Sequence, residues 1–237
     1  MKLSAPVHQL KRKAKILSRE EDIPHHEALN RIALGEGYAD WSLLAAKLAA
    51  VKPAARLFAR LKPGELLLVG ARPGQGKTLF SLELAVEAMK SGSPAIFFTL
   101  EYTEGDVLER FRAIGVDRAE FGGLFEFDGS DSISATHIIG RLGAAPRGTL
   151  VVIDYLQLLD QRRENPELME QVRALKSFAE RKGLVIVCIS QIDRSYDSSR
   201  KAFPDIGDVR LPNALDLRLF NQTCFLKGGK AQFVDGG

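Results

Sequence analysis

The segment Ala71-Arg-Pro-Gly-Gln-Gly-Lys-Thr78 decides the fold because of what stands on either side of it. An apolar run, residues 65–69, precedes the segment, and a helix-like stretch, residues 79–86, follows it. A strand, a glycine-rich turn and a helix in this order wrap successive backbone N–H groups around a chain of phosphates, and the helix N-terminus adds partial positive charge. The segment therefore predicts a binding site for a nucleoside triphosphate.

The predicted nucleotide contacts form one continuous run. In a loop of this kind Lys77 reaches the β- and γ-phosphates, and Thr78 offers its hydroxyl to Mg²⁺. The usual first glycine of the pattern is Ala71 here, with Gly70 just before it. An ordinary Gly-Pro turn before a helix is the alternative interpretation. The predicted nucleotide-binding residues are Ala71, Arg72, Pro73, Gly74, Gln75, Gly76, Lys77, Thr78 and Leu79.

Length and composition narrow the class of protein. A chain of 237 residues suits one sizeable α/β domain with a small appendage. No apolar run approaches the roughly 20 residues that a membrane span needs, and the N-terminus lacks the apolar core of a secretory signal. Cys188 and Cys224 each lie in an apolar run, which favours packed thiols over a disulfide. We therefore expect no membrane association and a cytoplasmic location.

Charge is spread unevenly along the chain. The net charge is +3, but residues 1–62 hold 12 Lys and Arg against 6 Asp and Glu. Such a basic segment could contact nucleic acid or an acidic partner, and a solvated helix face is the equally open alternative. The sequence predicts a basic helical segment over residues 1–60 and an ATPase-like core over residues 61–237.

Local signals suggest short helices in the basic segment. Ser18 and Glu21 have the spacing of a capping box at a helix start. Pro24 is expected to open a helix, and Asp40 is expected to cap the next one.

The core alternates strands and helices. Several of its apolar runs are continuous, which is typical of strands buried on both faces in a parallel sheet covered by helices. The predicted fold is therefore α/β, a mostly parallel central sheet flanked by helices, with ligands at the carboxyl ends of the strands. The predicted strands are 65–70, 95–100, 124–127, 149–154, 184–189 and 222–227, and the predicted helices lie near 77–90, 104–114, 133–143, 166–182 and 207–220.

Two carboxylates follow predicted strands. Asp154 ends an apolar strand, so its side chain is expected at the sheet edge beside the phosphate loop, where it could hold Mg²⁺ directly or through water. Glu101 follows another strand and could orient and polarise the water that attacks the γ-phosphate. The alternatives are a helix cap for Asp154 and a first-turn residue for Glu101.

Gln191 and the polar loop after it form the last signal in the core. A glutamine just beyond a central strand can sense the γ-phosphate and pass its presence to the loop, residues 193–205. A basic loop with one aromatic residue, Tyr196, fits contact with a single-stranded backbone, and plain mobility is the alternative. The predicted DNA-contacting residues are Arg194, Arg200 and Lys201.

Taken together, these segments resemble the C-terminal ATPase domain of the DnaB-type replicative helicases, within the RecA-like P-loop group. Five motifs match in order, and Ala71 is normal at its position in this family. The likeness covers about residues 60–227. The matching stretches are residues 70–78, 98–101, 152–158, 189–195 and 208–210.

The resemblance implies a role for each matching residue. Lys77 and Thr78 would contact phosphate and Mg²⁺, Glu101 would be the catalytic carboxylate, Asp154 would lie at the metal and Gln191 would sense the γ-phosphate. Members of this family work as hexameric rings with ATP between subunits and single-stranded DNA in the central channel. The resemblance thus implies ATP and Mg²⁺ as cofactors, a homo-oligomer, single-stranded DNA, and a replication or mobile-element protein as partners.

The basic segment, residues 1–60, departs from the family, because it does not resemble the primase-binding helical domain of replicative helicases. Lys227 and Lys230 are candidates for the cation that reaches a neighbouring subunit's γ-phosphate, and a lysine-rich turn between two edge strands is the alternative.

The expected function is a Mg²⁺-dependent ATPase that couples hydrolysis to translocation, unwinding or remodelling on single-stranded DNA. The alternative is an ATP-gated regulatory or assembly module with slow hydrolysis and no helicase activity. A small-molecule kinase with the same loop is a third interpretation, which no acceptor-binding segment supports.

Overall fold

The computed structural model of the protein describes residues 3–5, 7–160, 164–211 and 213–235. Packing divides the chain into two compact units, Met1–Lys52 and Pro53–Gly237. This division falls earlier than the predicted boundary at residue 60. The reason is a short helix, α4 (Pro53–Phe58), which buries Ala54 and Leu57 within the larger unit.

The described residues of the smaller unit form three helices, α1 (Val7–Glu20), α2 (His25–Gly35) and α3 (Trp41–Ala50). Asp40 caps α3, as predicted, because its Oδ1 atom accepts a hydrogen bond of 2.7 Å from the backbone N–H of Leu43. Small and aliphatic side chains fill the space between the helices. The buried ones are Leu10, Ala14, Ala28, Ala33 and Leu44.

The predicted capping box at Ser18 and Glu21 is wrong. Ser18 lies inside α1, which continues to Glu20. The chain leaves the helix at Asp22, whose φ of 52° is left-handed. The Ser18 hydroxyl therefore serves the C-terminal end of α1, where it donates a hydrogen bond of 2.7 Å to the backbone carbonyl of Ile23.

The larger unit is built on one seven-stranded sheet with the order β3-β2-β4-β5-β1-β6-β7. Neighbouring strands are parallel from β3 to β6, and β7 runs antiparallel to β6. The predicted mostly parallel sheet is confirmed, while β7 is not among the predicted strands and corresponds to the second edge strand of the alternative interpretation of Lys227 and Lys230. The strands are β1 (Leu66–Ala71), β2 (Ala95–Thr99), β3 (Phe125–Asp128), β4 (Leu150–Asp154), β5 (Val185–Gln191), β6 (Gln222–Lys227) and β7 (Lys230–Asp235).

Helices cover both faces of this sheet. Alternate residues of β1 point to opposite faces, so Leu66 and Leu68 join one hydrophobic core, and Leu67 and Val69 join the other. The first core includes α7 (Ala135–Arg141) and α8 (Leu168–Lys182), and the second includes α5 (Lys77–Lys90) and α6 (Glu104–Ala113). Burial on both faces explains the continuous apolar runs of the strands.

The predicted helix near residues 207–220 is wrong. The chain forms two short 3-10 turns there, residues 206–208 and 217–219. The side chain of Asp205 accepts from the N–H of Gly207, and that of Asp216 accepts from the N–H of Arg218. Such local hydrogen bonds compete with a helix, and the stretch also contains a proline, which lacks the backbone N–H that a helix interior requires.

Both cysteines, Cys188 and Cys224, are buried free thiols, as predicted, and burial raises the pKa of each.

Within the described residues, we find no helix that is both long enough and apolar enough to cross a bilayer.

Candidate nucleotide site

The phosphate loop connects the carboxyl end of β1 to the first residue of α5, Lys77. Gly74 and Gly76 adopt φ angles of 74° and 80°, a region that side chains with a Cβ atom disfavour. Gly76 directly precedes α5 in a left-handed conformation. These two glycines allow the sharp turn that brings the loop back to the helix N-terminus, where unpaired N–H groups attract anions.

Sheet order brings four strand ends to the same edge. β4 lies between β2 and β5, and β1 lies on the far side of β5. In the register of these strands Asp154 is opposite Thr99, and Gln191 is opposite Ala71. Residues that are far apart in sequence therefore meet beside the phosphate loop.

Lys77 and Thr78 stand at the start of α5. The ammonium group of Lys77 donates a hydrogen bond of 3.4 Å to the backbone carbonyl of Arg72. Burial lowers the pKa of Lys77, while the nearby carboxylates of Asp154 and Glu101 act to raise it. A half-buried ammonium group beside a helix N-terminus is suited to bind a phosphate anion.

Asp154 is 1% exposed at the end of β4. Its Oδ2 atom accepts a hydrogen bond of 2.9 Å from the Thr78 hydroxyl. Burial raises the pKa of Asp154 to about 6, and Glu101 adds to the shift, although the Thr78 hydrogen bond and the charge of Lys77 oppose it. A buried carboxylate with this pKa lacks a full counter-charge, which a bound cation would supply.

Glu101 and Gln191 reach the same cleft from β2 and β5. The backbone N–H of Glu101 donates to the hydroxyl of Thr99, a fully buried residue, at 3.0 Å. This bond fixes the backbone where the chain leaves β2, and the Glu101 side chain is left exposed in the cleft. Gln191 is the last residue of β5 and is partly exposed.

The cleft that these residues surround has a volume of about 380 Å³. Most of the predicted nucleotide, metal and catalytic residues line it, and it lies at the carboxyl ends of the strands, as predicted. The predicted residues in its wall are Pro73, Gly74, Gly76, Lys77, Thr78, Leu79, Glu101, Asp154 and Gln191.

Three further residues, which were not predicted from the sequence, also line the cleft: Tyr102, Arg110 and Tyr155. The Arg110 guanidinium lies 4.0 Å from the centroid of the Tyr102 ring and donates to the backbone carbonyl of Asp106 at 2.9 Å. The peptide bond between Asp154 and Tyr155 is cis. Arg110 lies on α6 beside the buried Phe111, and no sequence pattern marked it as a cleft residue.

Three predicted nucleotide contacts do not line the cleft. Ala71 is a buried strand residue at the end of β1. The guanidinium group of Arg72 turns away, forming a two-pronged ion pair with Asp197 and donating to the carbonyl of Ile192. The Gln75 side chain accepts a hydrogen bond from the N–H of Gly228 at 2.8 Å. The phosphate loop is thus bound to the loop after β5 and to the turn after β6.

The basic residues of the 193–205 loop differ in their contacts. The side chain of Lys201 forms ion pairs with Asp205 and Asp208 at 2.8 and 2.9 Å. Arg194 and Arg200 are exposed and form no ion pair with any residue that the structure describes. Within this loop the two arginines are therefore available to a polyanion, whereas the charge of Lys201 is compensated.

The two candidate trans-acting lysines flank the turn between β6 and β7. The Lys227 ammonium donates to the hydroxyl of Tyr196 at 2.8 Å and to the carbonyl of Lys201 at 3.3 Å. Lys230 is exposed. The turn is the lysine-rich connection that the sequence left open as an alternative, and Lys227 is held within its own chain.

Comparison with known proteins agrees with this geometry. A family model described as "ATPase: KaiC" matches residues 56–208, which is more than half of the chain. The chain belongs to the KaiC family of ATPases. Membership implies a nucleotide site with a divalent cation in general, since P-loop ATPases bind the two together.

Curated relatives of this KaiC-family chain include replicative helicases. It is 27% identical to replicative DNA helicase DnaB of Pasteurella multocida over 194 residues, which are 67% of this chain and 41% of that protein. It is 28% identical to DnaB of Synechocystis over 181 residues, which are 63% of this chain and 21% of that protein. The chain thus spans about two fifths or less of these relatives.

Solved structures show the same fold. A DnaB-like replicative helicase, solved in a study of its interactions with primase, is 18% identical with a TM-score of 0.59, and the match covers 92% of this chain and 65% of that one. A second solved structure, described as an ATPase domain, is 19% identical with a TM-score of 0.56, covering 77% and 80%. The predicted resemblance to DnaB-type, RecA-like ATPase domains is confirmed.

Proposed function

We propose that this KaiC-family protein is a Mg²⁺-dependent ATPase that couples hydrolysis to movement or remodelling on single-stranded DNA. The observation that carries the proposal is the convergence of Lys77, Thr78, Glu101, Asp154 and Gln191 on one cleft. An ammonium, a hydroxyl, two carboxylates and an amide are the groups that phosphoryl transfer to water requires.

The residues of the loop suit a triphosphate. The backbone N–H groups at the start of α5 and the ammonium group of Lys77 would bind the β- and γ-phosphates. Phosphate oxygens would replace the carbonyl of Arg72 as the partner of Lys77, a bond that is long at 3.4 Å. Binding would thereby offset the desolvation of the ammonium group.

The oxygen atoms of Thr78 and Asp154 fit Mg²⁺. No cluster of three or more His, Cys, Asp or Glu able to hold a metal ion exists among the residues that the structure describes. Mg²⁺ in phosphoryl-transfer sites does not need such a cluster, because it takes one or two protein ligands together with phosphate oxygens and water. When bound, the ion would offset charge that develops on the phosphate oxygens.

Hydrolysis itself would depend on Glu101 and Gln191. The Glu101 carboxylate would accept a hydrogen bond from the attacking water and hold it in line with the γ-phosphate. The Gln191 amide would contact the γ-phosphate and respond to its loss. Arg110, which is stacked on Tyr102 in the cleft wall, is a further cation for the phosphate charge.

Coupling to DNA would run through the 193–205 loop. Gln191 leads into this loop, and the Arg72–Asp197 ion pair joins it to the phosphate loop. Arg194 and Arg200 are the cations that we expect to contact single-stranded DNA. A homo-oligomeric ring, most simply a hexamer, would place these loops around one strand. The exposed Lys230, or Lys227 after release from Tyr196, would reach the neighbouring nucleotide. We place the protein in the cytoplasm, in keeping with its two free thiols.

We expect Asp154→Asn to stabilise the nucleotide-free protein while removing Mg²⁺-dependent turnover. The pKa of Asp154 lies near 6 when folded, above its usual 3.8, so its contribution to stability is fully present below pH 3.8 and is lost as the pH rises through 6. The ionised group then costs about 3 kcal/mol at pH 7.5, which asparagine would remove. Urea unfolding at pH 5 and pH 7.5 measures the difference.

The matched control for this prediction is Glu109→Gln, which changes an exposed carboxylate of the same unit. The prediction fails if Asp154→Asn is no more stable than the parent at pH 7.5, or if it retains the parent's dependence of ATPase rate on Mg²⁺.

We expect Arg194→Gln/Arg200→Gln to lower the stimulation of ATPase activity by single-stranded DNA. Loss of two phosphate contacts should also reduce the slope of a plot of the logarithm of the DNA association constant against the logarithm of salt concentration, by about 1.4 for a single-stranded ligand. Lys201→Gln is the control, since Asp205 and Asp208 already compensate its charge, and it should have a smaller effect. Equal losses in the two variants would contradict the assignment.

A second candidate function is an ATP-gated assembly module with slow hydrolysis. The contacts of Lys201 and Lys227 within their own chain favour it, because they leave fewer free cations for DNA or for a neighbouring subunit. ATPase rates with and without single-stranded DNA over a salt series discriminate between the two functions. Salt-sensitive stimulation supports the DNA-driven enzyme, while a rate that DNA does not change, or a protein that stays monomeric with a non-hydrolysable ATP analogue, supports the module.

A further inference from the structure

Helix α1 in the smaller unit has a strongly basic side. Successive residues of a helix are rotated by about 100°, so Lys11, Arg12, Lys15 and Arg19 fall within an arc of about 100°. All four side chains are exposed, and we call them the α1 basic face. On the other side of the helix, Leu10 and Ala14 are buried, which fixes the orientation of the basic face towards solvent.

The α1 basic face is not neutralised by the part of the protein that the structure describes. None of its four cations forms an ion pair with a carboxylate among the described residues. Three carboxylates of the same unit have other partners: Glu21 and Glu27 both bind Arg31, and Glu36 accepts hydrogen bonds from Ser4. The positive charge of this face is therefore available to an external polyanion.

The composition of this surface argues against a protein or a membrane as its ligand. Protein interfaces have an apolar centre, and membrane-surface helices bury an apolar face in lipid. Among the described residues of α1, only one large apolar side chain is strongly exposed, that of Ile16 at 47%. The apolar side of the helix is already buried in its own unit, so neither partner would find a hydrophobic surface here.

The α1 basic face fits duplex DNA better than a single strand. Single-strand sites combine cations with aromatic rings on which bases stack, and the sequence of α1 contains no Phe, Tyr or Trp. A duplex carries one phosphate charge per roughly 1.7 Å of its axis, and a 14-residue helix is about 21 Å long. We propose that the α1 basic face binds the phosphate backbone of duplex DNA without sequence preference, as a site separate from the ATPase cleft.

The test is fluorescence anisotropy of the full chain with a labelled duplex in the absence of nucleotide, over a salt series. We expect Lys11→Gln/Lys15→Gln/Arg19→Gln to weaken duplex binding about 10- to 100-fold at low salt. We also expect the slope of log K against log salt to fall by about 2 to 3, since each phosphate contact contributes about 0.9. Glutamine keeps a high helix propensity, and circular dichroism verifies that α1 remains folded.

The matched control removes three exposed cations from the larger unit, Arg112, Arg173 and Arg181, by the same change to glutamine. This variant should retain parental duplex affinity and slope. An equal loss in both triple variants would overturn the proposal, because it would reflect net charge alone. Unchanged duplex binding by the α1 variant would overturn it as well, as would an equal or larger loss for a single strand of the same length.

Two further measurements separate this proposal from the proposed ATPase function. Lys77→Ala should bind the duplex with parental affinity, since it changes only the nucleotide cleft. The α1 variant should retain the parental ATPase rate without DNA. If the α1 variant binds duplex normally but loses binding to polyglutamate or to phosphatidylserine vesicles, the face serves an acidic protein or a membrane, and the duplex assignment is wrong.

Discussion

Replacing Lys77 with alanine is expected to reduce ATP hydrolysis by at least about 10²–10³-fold, the usual loss when one preorganised electrostatic donor is removed from an active site. The ammonium group is partly buried at the N-terminus of α5, and in the nucleotide-free protein its hydrogen-bond acceptor is the carbonyl of Arg72. Without it, a γ-phosphate would lose the ammonium group that we propose as its partner. Steady-state phosphate release measures the effect.

Stability separates a catalytic role for Lys77 from a structural one. Burial lowers the pKa of Lys77, so the folded protein holds its charge at some cost. The nucleotide-free Lys77→Ala protein should therefore melt no lower than the parent, but the rise in Tm that ATP produces should be much smaller. Lys90→Ala, at the exposed end of the same helix, is the control and should keep both properties. A Lys77→Ala protein that hydrolyses ATP at the parental rate would remove this residue from the mechanism.

Glu101→Gln is expected to separate nucleotide binding from hydrolysis. The substitution preserves size and one acceptor oxygen but removes the negative charge that we propose polarises the attacking water, a contribution of about 10²–10⁴-fold. The backbone bond to Thr99 does not involve the side chain, so the segment should keep its position. We expect single-turnover hydrolysis to slow by this factor, while a fluorescent ATP analogue binds as tightly as before.

Glu104→Gln is the matched control for Glu101→Gln, since Glu104 lies three residues further along and pairs with Arg118 at the surface. It should hydrolyse ATP at close to the parental rate. Rapid turnover by Glu101→Gln, or a loss of nucleotide affinity as large as its loss of rate, would assign Glu101 to binding instead of catalysis.

The sequence was sufficient to predict the sheet and most of the cleft. Strands buried on both faces leave continuous apolar runs, so β1, β2, β4 and β5 could be found, and a parallel sheet brings their ends together. Glu101, Asp154 and Gln191 were therefore predictable as cleft residues from their positions at or just beyond the ends of strands. Five motifs in order indicated the resemblance to the ATPase domain of DnaB-type helicases.

Other features depend on contacts that periodicity does not encode. Arg72 lies in the phosphate loop, but its direction is set by Asp197, 125 residues away. Arg110 reaches the cleft because the Tyr102 ring supports it, and no spacing rule predicts that contact. The wrong helix near residues 207–220 has a similar origin, since side chains such as Asp205 and Asp216 satisfy the backbone locally.

The ion pair between Arg72 and Asp197 and the hydrogen bond that the Gly228 N–H donates to Gln75 have a thermodynamic consequence. If occupancy by ATP changes the affinity of the 193–205 loop for a strand, that strand must change the affinity for ATP by the same factor. With such reciprocity, the bound strand would control the retention of nucleotide to the same extent as the nucleotide controls the retention of the strand.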